Sequence, residues 1–243
     1  MATIKVLANA RQLVDALAEH GPLSPAEAAE LIRVPRPSVY RLAGALEAVD
    51  LVETLPDARI ALSRRWLHLA DAARSATTEW AGVDAVLDGI VDATGQTAFL
   101  SVPRANGAVC VAWSPGRGVG VLLLKPGRSL PYHAGAAGRV LLAFQQPDPE
   151  ALIADAPLPA LTPRTLVDAD ALRADIAATR KRGYSVSDED VTVGIGALGV
   201  PVRDARGAVR ASLSLSGFAE AIREAEEEYV GVLRDAVTRI SPA

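Results

Sequence analysis

The segment Ser24-Pro-Ala-Glu-Ala-Ala-Glu-Leu-Ile-Arg-Val-Pro-Arg-Pro-Ser-Val-Tyr-Arg-Leu42 contains start signals for two consecutive helices. In the first signal, Ser24 can cap the helix, Pro25 fits its first position, and Glu27 completes a capping box. The pattern therefore predicts a short helix over about residues 25–32.

The second start signal is Val34-Pro-Arg-Pro-Ser38. Because Arg36 precedes a proline, we expect it outside helical geometry, and Pro37 then begins a helix that runs to about Ala48. The neighbouring elements predicted from periodicity are a helix at about residues 4–20 and short strands at about 51–54 and 59–62. Three short helices followed by a two-stranded ribbon form the winged helix-turn-helix pattern.

The third helix of this pattern has the chemistry of a DNA-binding surface. From Leu31 to Leu46 the chain has three arginines and no acidic residue, although its 243 residues together have a net charge of −4. Donors at the start of a helix can meet phosphates or base edges, and the helix dipole adds positive charge there. The alternative interpretation is a solvated basic face of a small helical domain. The predicted DNA-binding residues are Arg36, Ser38, Tyr40 and Arg41 on the helix and Arg59 in the wing.

The rest of the chain predicts a second kind of domain. Helical spacing continues at about residues 64–80 and 82–94. The later strands are predicted at about 97–103, 108–113, 119–125, 184–189, 197–203 and 208–215, and the later helices at about 137–145, 148–154, 168–182 and 219–240. These elements predict a mixed sheet with helices at its ends and faces. The fold class is therefore α+β, with a winged helix domain at about residues 1–62, a connecting helix at about 63–80 and a second, mixed α/β domain at about 81–243.

Several separate motifs make essentially the whole chain resemble the IclR family of bacterial transcriptional regulators. The segments that carry the resemblance are, in chain order, His20–Glu30, Val34–Leu42, Pro131–Arg139, Leu161–Leu166, Arg182–Asp190, Gly199–Asp204 and Ala211–Gly217. The resemblance implies a ligand-responsive, DNA-binding regulator that is not an enzyme. It also implies a GAF-like effector-binding second domain and dimers that pair into tetramers.

Two-fold pairing of such chains would place two recognition helices on a pseudo-palindromic DNA operator. The amphipathic helix at about residues 64–80 is the candidate pairing element, with Trp66 and Leu69 on its apolar side. The alternative is that this apolar stripe packs on the domains of its own chain.

The resemblance also brings three parts of the second domain together as an effector pocket. Gly135, Ala136 and Ala137 lie at a predicted helix start, where free backbone N–H groups and the dipole favour an anion. Ser214 and Ser216 alternate with leucines, so that both hydroxyls point to one face of their strand and either orient a carboxylate or pair with neighbouring backbone. Asp190 lies on a loop before a strand, where it either accepts a ligand hydrogen bond or fixes the loop.

The size of the expected effector depends on Ala197, which stands where many family members have a cysteine. Because alanine removes a polar contact and leaves space, we expect a small aromatic or longer carboxylate rather than glyoxylate. Apolar wall residues are predicted to be Val121, Leu123 and Trp113, and Trp113 is alternatively a core residue.

Other motifs are interpreted as structural. Gly194-Ile-Gly-Ala-Leu-Gly199 matches a dinucleotide fingerprint, but Pro201 follows it closely, so we interpret it as a turn that enters a strand. The run Asp188-Glu189-Asp190 is either a solvated turn or a pair of catalytic carboxylates. His133 is interpreted as structural, because the chain lacks the nucleophile elbow of a serine hydrolase.

The amino-acid composition and the absence of certain sequence patterns narrow the classes of protein that remain. Cys110 is the single cysteine and the three histidines are far apart, so we expect no intrachain disulfide, metal site or cofactor. The absence of a signal-peptide pattern and of a long apolar run predicts a cytoplasmic protein that does not contact membranes. The two alternatives to a regulator are an enzyme built on the second domain and a ligand-binding protein that does not bind DNA.

Overall fold

The computed structural model describes residues 5–76, 80–104, 107–118, 124–144, 149–154 and 158–240. The chain divides into two compact units, Met1–Thr78 and Glu79–Ala243. Hydrophobic clusters form a separate core in each unit. Among the described residues, no helix is both long enough and apolar enough to cross a membrane.

The first unit has the predicted order of three helices and an antiparallel two-stranded ribbon, followed by a fourth helix. Its elements are α1 (Lys5–His20), α2 (Pro25–Leu31), α3 (Arg36–Glu47), β1 (Val52–Thr54), β2 (Ile60–Leu62) and α4 (Arg65–Ala76). The core is aliphatic and includes Leu13, Leu17, Val39, Leu42 and Ile60. The indole N–H of Trp66 donates a hydrogen bond to the Leu51 carbonyl over 2.7 Å, which fixes the first turn of α4 to the ribbon.

The start of α2 confirms the predicted capping box. The Ser24 hydroxyl accepts a hydrogen bond from the Glu27 backbone N–H, and the Glu27 carboxylate accepts one from the Ser24 N–H. The hydrogen bonds from Ser24 lower the pKa of Glu27 below its usual value. The two residues therefore satisfy N–H groups that the helix itself leaves without acceptors.

The prediction that Arg36 lies outside α3 is wrong, because the helix begins at that residue. Pro35 is the N-cap and takes the extended geometry, with ψ at 141°. Pro37 fits the first turn because it lacks an N–H and the first turn needs none. The basic side chain of Arg36 consequently belongs to the helix start itself.

The second unit is built on a six-stranded sheet with the order β5-β4-β3-β8-β7-β6. Its strands are β3 (Thr97–Arg104), β4 (Gly107–Ser114), β5 (Ser129–Leu130), β6 (Ser185–Asp188), β7 (Ile195–Arg203) and β8 (Val209–Phe218), and its helices are α5 (Val83–Thr94), α6 (Gly135–Phe144), α7 (Pro149–Ala154), α8 (Ala169–Arg182), α9 (Ala219–Glu224) and α10 (Glu226–Val237). The α+β fold class is thus confirmed. Every pairing between these described strands is antiparallel, so the expectation of a mixed sheet is wrong.

The two faces of this sheet differ in chemistry. Alternate residues of β3, β7 and β8 point to one face, where aliphatic side chains such as Leu100, Leu198 and Leu213 pack with α5 and α10. The intervening residues face α6, and many of them are serine, glycine or alanine. Small side chains on this face let α6 approach the sheet closely.

Three further points concern how the predicted elements compare with the described ones. The predicted helix at 219–240 is interrupted at Ala225, and α10 restarts with three glutamates in its first turn, where the helix dipole favours negative charge. The predicted strand at 119–125 falls mostly on residues 119–123, outside the described residues, and Leu124 and Lys125 are not in a strand. The short strand β5 was not predicted, because a two-residue strand has no detectable periodicity.

Because α6 lies close to the segment before it, we expect two glycine-to-alanine substitutions to change the free energy of unfolding in opposite directions. A Cβ atom at Gly138 would lie 2.6 Å from the Pro131 carbonyl oxygen, whereas a Cβ at Gly231, in α10, meets nothing within 4 Å. We expect Gly138→Ala to lower the free energy of unfolding by about 2 kcal/mol through overpacking. Gly231→Ala is the matched control and is expected to raise it by about 0.5–1 kcal/mol. Urea unfolding followed by circular dichroism measures both, and equal stability of Gly138→Ala and wild type would contradict the close packing.

Candidate functional site

A cavity in the second unit lies between the start of α6, the loop that joins β6 to β7, and the small-residue face of the sheet. The empty space between these elements is about 470 Å³, of which a part is open solvent. The described residues that line it are Phe99, Leu124, Leu130, Gly135, Ala136, Ala137, Ser187, Val191, Thr192, Ile195, Gly196, Ala197, Ser214 and Ser216. Six of the predicted pocket residues are among them: Gly135, Ala136, Ala137, Ala197, Ser214 and Ser216.

The sheet wall of the cavity follows from strand register. Ala197 in β7 pairs with Ser187 in β6 on one side and with Ser216 in β8 on the other. Ser214 is two residues before Ser216 on the same face and pairs with Phe99 in β3. This register brings Ser187 and Phe99 into the pocket, although neither was predicted from the sequence. The alternation of serines in Ser185-Val-Ser187 resembles that of β8 and was the available signal for Ser187.

The two predicted serines differ in how their hydroxyls are used. The Ser216 hydroxyl donates a hydrogen bond to the Gly196 carbonyl over 2.9 Å. The Ser214 hydroxyl has no such bond to any described residue, although only 3% of the residue is exposed. A buried hydroxyl that lines a cavity and lacks a protein partner can hydrogen-bond a ligand without first breaking a bond within the protein. Ser214 is therefore the stronger candidate for ligand contact.

The start of α6 is already partly occupied by a carboxylate of the protein. The Gly135 N–H donates to Oδ2 of Asp190 over 3.1 Å. The N–H groups of Ala136 and Ala137 have no acceptor within the helix, since they belong to its first turn, and both residues line the cavity. The helix start can therefore offer these two donors to an anion.

Asp190 is the centre of a buried polar cluster behind the cavity. Its Oδ1 accepts a hydrogen bond from the Ser187 hydroxyl, and its Oδ2 lies 3.3 Å from Nη2 of Arg139. Nη1 of Arg139 lies 3.0 Å from Oδ1 of Asp175. Both oxygens of Asp190 thus have protein partners, which favours the expected loop-fixing role over a free ligand acceptor. Arg139 was not singled out in the sequence, because its partners are distant along the chain.

The neighbouring acidic residues and His133 do not form a catalytic group in this geometry. Asp188 pairs with Arg164 over 2.7 Å and with Arg223 over 2.5 Å, and Glu189 accepts the Gly194 N–H. These carboxylates are therefore already compensated by cations or by backbone. Nε2 of His133 lies 2.9 Å from the Pro159 carbonyl oxygen, which can only accept, so this nitrogen carries the proton and donates.

The apolar side of the cavity is formed by Phe99, Leu124, Leu130 and Ile195. Trp113 is not on the cavity wall but packs behind Phe99, with ring centroids 6.3 Å apart. Cys110 is fully buried in the same cluster, and burial raises the pKa of its thiol to about 12. The predicted wall residues Val121 and Leu123 lie outside the described residues.

Four of the five predicted DNA-binding residues lie in the first half of α3, and Arg59 lies directly before β2. Arg36, Tyr40 and Arg41 are exposed and Ser38 is half-buried, with an Arg41 nitrogen 3.5 Å from the Ser38 hydroxyl. Tyr40 is 62% exposed, so its ring is accessible to a binding partner. Arg59 is also exposed, but it pairs with Asp57 over 2.7 Å, and this hydrogen bond lowers the pKa of Asp57.

Two further expectations concern cofactors. Gly194 has φ at +81° and precedes β7, which contains the remaining residues of the Gly194–Gly199 motif. The motif is therefore a turn that enters a strand, as predicted, and lacks the helix that a dinucleotide site requires. The described residues contain no group of three or more metal-ligating side chains.

Known proteins resemble both units in sequence and fold. Residues 80–242 match the family described as bacterial transcriptional regulator IclR C-terminal, and residues 6–56 match the IclR helix-turn-helix domain. The chain is 30% identical over 227 residues to the probable transcriptional regulator SauR of Cupriavidus necator, an alignment that covers 88% of this chain and 90% of SauR. An IclR transcriptional regulator from Alicyclobacillus acidocaldarius superimposes with a TM-score of 0.83 at 25% identity, covering 99% of this chain and 98% of that one. An IclR homologue from Microbacterium hydrocarbonoxydans, complexed with 4-hydroxybenzoate, has the same fold, with a TM-score of 0.78 at 22% identity and 97% coverage of each chain.

Proposed function

The chain belongs to the IclR family of bacterial transcriptional regulators, and we propose that its first unit binds a DNA operator in response to a small carboxylate bound by its second unit. The family is one of regulators rather than enzymes, so the enzymatic alternative is not retained. We place its action in the cytoplasm, where the DNA of a bacterium lies. The cavity beside α6 is the observation that carries the effector part of the proposal.

The proposed DNA contact is the start of α3 with the wing beside it. Arg36 and Arg41 are exposed there and form no ion pair with an acidic side chain among the described residues of the unit, so their charges are available to phosphates or base edges. Arg59 contributes less in this proposal, because Asp57 already neutralises its charge at short range. Tyr40 adds an exposed aromatic ring that can contact a thymine methyl group.

The proposed oligomer is a homodimer, or a dimer of dimers, on a pseudo-palindromic operator. The candidate pairing element remains α4, and its most exposed large apolar side chain is Leu67, which was not singled out in the sequence. Trp66 is half-buried against its own ribbon, whereas Leu67 is 73% exposed and Leu69 is 36% exposed. We therefore propose Leu67 as the pairing residue of α4, whereas Leu69, two positions further on, points to the opposite side of the helix.

The proposed effector is an aromatic or longer carboxylate. Its carboxylate would accept hydrogen bonds from Ala136 and Ala137 N–H and from the Ser214 hydroxyl, while Phe99 and Leu124 form the apolar wall. Ala197 leaves the space above β7 free of a larger side chain. The 4-hydroxybenzoate bound to the Microbacterium homologue supports an aromatic acid as the first probe.

Substitutions on α3 test the DNA-binding proposal. We expect Arg36→Ala and Arg41→Ala each to weaken binding to an operator fragment obtained by genomic footprinting, by about 1–3 kcal/mol for a base contact. For a phosphate contact, the slope of log affinity against log salt falls by about one. Arg11→Ala, which removes an exposed arginine from α1, is the control. Fluorescence anisotropy over a salt series measures these effects, and unchanged affinity in both α3 variants would remove this helix from the interface.

A charge placed on α4 tests the pairing proposal. We expect Leu67→Lys to shift the protein toward monomers, because a lysine at the centre of an apolar contact must be desolvated. Leu161→Lys makes the same change at a 41%-exposed leucine of the second unit and is expected to leave the assembly intact. Light scattering measures the masses with and without operator DNA. A monomeric wild type, or an unchanged mass for Leu67→Lys, contradicts the proposal.

Three pocket substitutions test the effector proposal by calorimetry with 4-hydroxybenzoate and with glyoxylate. We expect the wild type to bind the aromatic acid more tightly, and Ser214→Ala to weaken that binding about five- to tenfold. Ser216→Ala is the matched control and is expected to change affinity less, because its hydroxyl already donates to Gly196. Ala197→Leu is expected to abolish binding by filling the cavity. If neither acid binds to the wild type, or if both serine variants bind like the wild type, the proposed site is wrong.

A further inference from the structure

We propose that Asp175, a residue outside the cavity, lowers the preference of the pocket for acids over neutral ligands, and that it acts through the buried guanidinium of Arg139. This inference rests on the proposed effector site. It concerns the sign of charge that the site selects, which neither the fold nor the similar proteins assign. The proposal depends on one observation: the buried Arg139 contacts two carboxylates, and only that of Asp190 adjoins the pocket.

The cavity itself supplies no cation for an acidic ligand. No lysine or arginine is among the described residues that line it. An anion at the Ala136 and Ala137 N–H groups would moreover lie beside the carboxylate of Asp190, which holds the neighbouring N–H of Gly135. Because like charges at short range disfavour each other, this site accepts an anion only if Asp190 is compensated from behind.

Arg139 supplies the positive charge that compensates Asp190, but it shares that charge with Asp175. Its Nη2 lies 3.3 Å from Asp190 and its Nη1 lies 3.0 Å from Asp175. The side chains of Arg139 and Asp190 are 5% and 3% exposed, so their charges are weakly screened by solvent. The three groups together carry one net negative charge. Arg182 is the further cation near Asp175, but its closest approach is 3.8 Å and its side chain is 30% exposed.

The contact between Arg139 and Asp175 is not a fully satisfied ion pair. Nε of Arg139 and Oδ2 of Asp175 are both buried without a hydrogen-bond partner among the described residues. A buried pair with unmatched donors and acceptors contributes little net stability, because desolvation offsets the attraction. The main effect of Asp175 is therefore electrostatic. Its carboxylate partly neutralises Arg139, and less of the arginine's positive charge is left to compensate Asp190.

The test compares an acid with its neutral amide on the same protein. The probes are 4-hydroxybenzoate and 4-hydroxybenzamide, and calorimetry gives the ratio of their affinities. We expect Asp175→Asn to raise the acid-to-amide ratio about fivefold, because a negative charge whose side chain is only 16% exposed is removed while the cavity wall is unchanged. Asp170→Asn makes the same substitution on the same helix at a side chain that is 92% exposed, and it is expected to leave the ratio unchanged.

A purely structural role for Asp175 would change the two affinities together and leave their ratio constant. An unchanged or lower ratio in Asp175→Asn therefore overturns the inference, provided that thermal melting shows a folded protein. If that variant is unfolded, Asp175→Ala removes the charge without burying an amide, and the same expectation applies to it. Failure of the wild type to bind either probe is a different result, which overturns the aromatic effector and with it this premise.

Discussion

The buried carboxylate of Asp190 is the contact on which the pocket depends. It holds the first N–H of α6, the hydroxyl of Ser187 on β6, and the guanidinium of Arg139, so that a helix start, a strand and a loop are fixed by one group. Removing one partner from such a buried pair typically costs about 3–5 kcal/mol, because the other charge is left without compensation. The Asp190 backbone is held as well, since its carbonyl accepts the Thr165 hydroxyl over 2.7 Å. The inner side of the loop beside the cavity is therefore held by several buried contacts at once.

The outer part of that loop is held in a different way. Asp188 pairs with Arg164 and Arg223, which come from separate segments, and all three side chains are substantially exposed. Exposed pairs of this kind are weak individually and are screened by salt. The loop thus has an inner edge fixed by buried contacts and an outer edge fixed by contacts that respond to ionic strength.

The sequence predicted those features that depend on local signals. The capping box at Ser24, the order of elements in the first unit, and the common face of Ser214 and Ser216 follow from neighbouring residues alone. Phe99 and Ser187 were missed because their place in the pocket depends on strand register across β3, β8, β7 and β6. Arg139 was missed because its partners Asp175 and Asp190 lie 36 and 51 positions further along the chain. For Trp66 the sequence left two alternatives open, because helical periodicity cannot distinguish packing within a chain from packing between chains.

The two faces of the sheet in the second unit have different roles. Its aliphatic face forms the core with α5 and α10, while its opposite face of small residues forms the pocket under α6. A change at Ala197 or Ser214 therefore alters the shape or polarity of the pocket without removing a side chain from the main core. Under the proposed function, a new ligand specificity can therefore arise through single substitutions that leave this core intact. One architecture can in this way diversify into receptors for different metabolites during evolution.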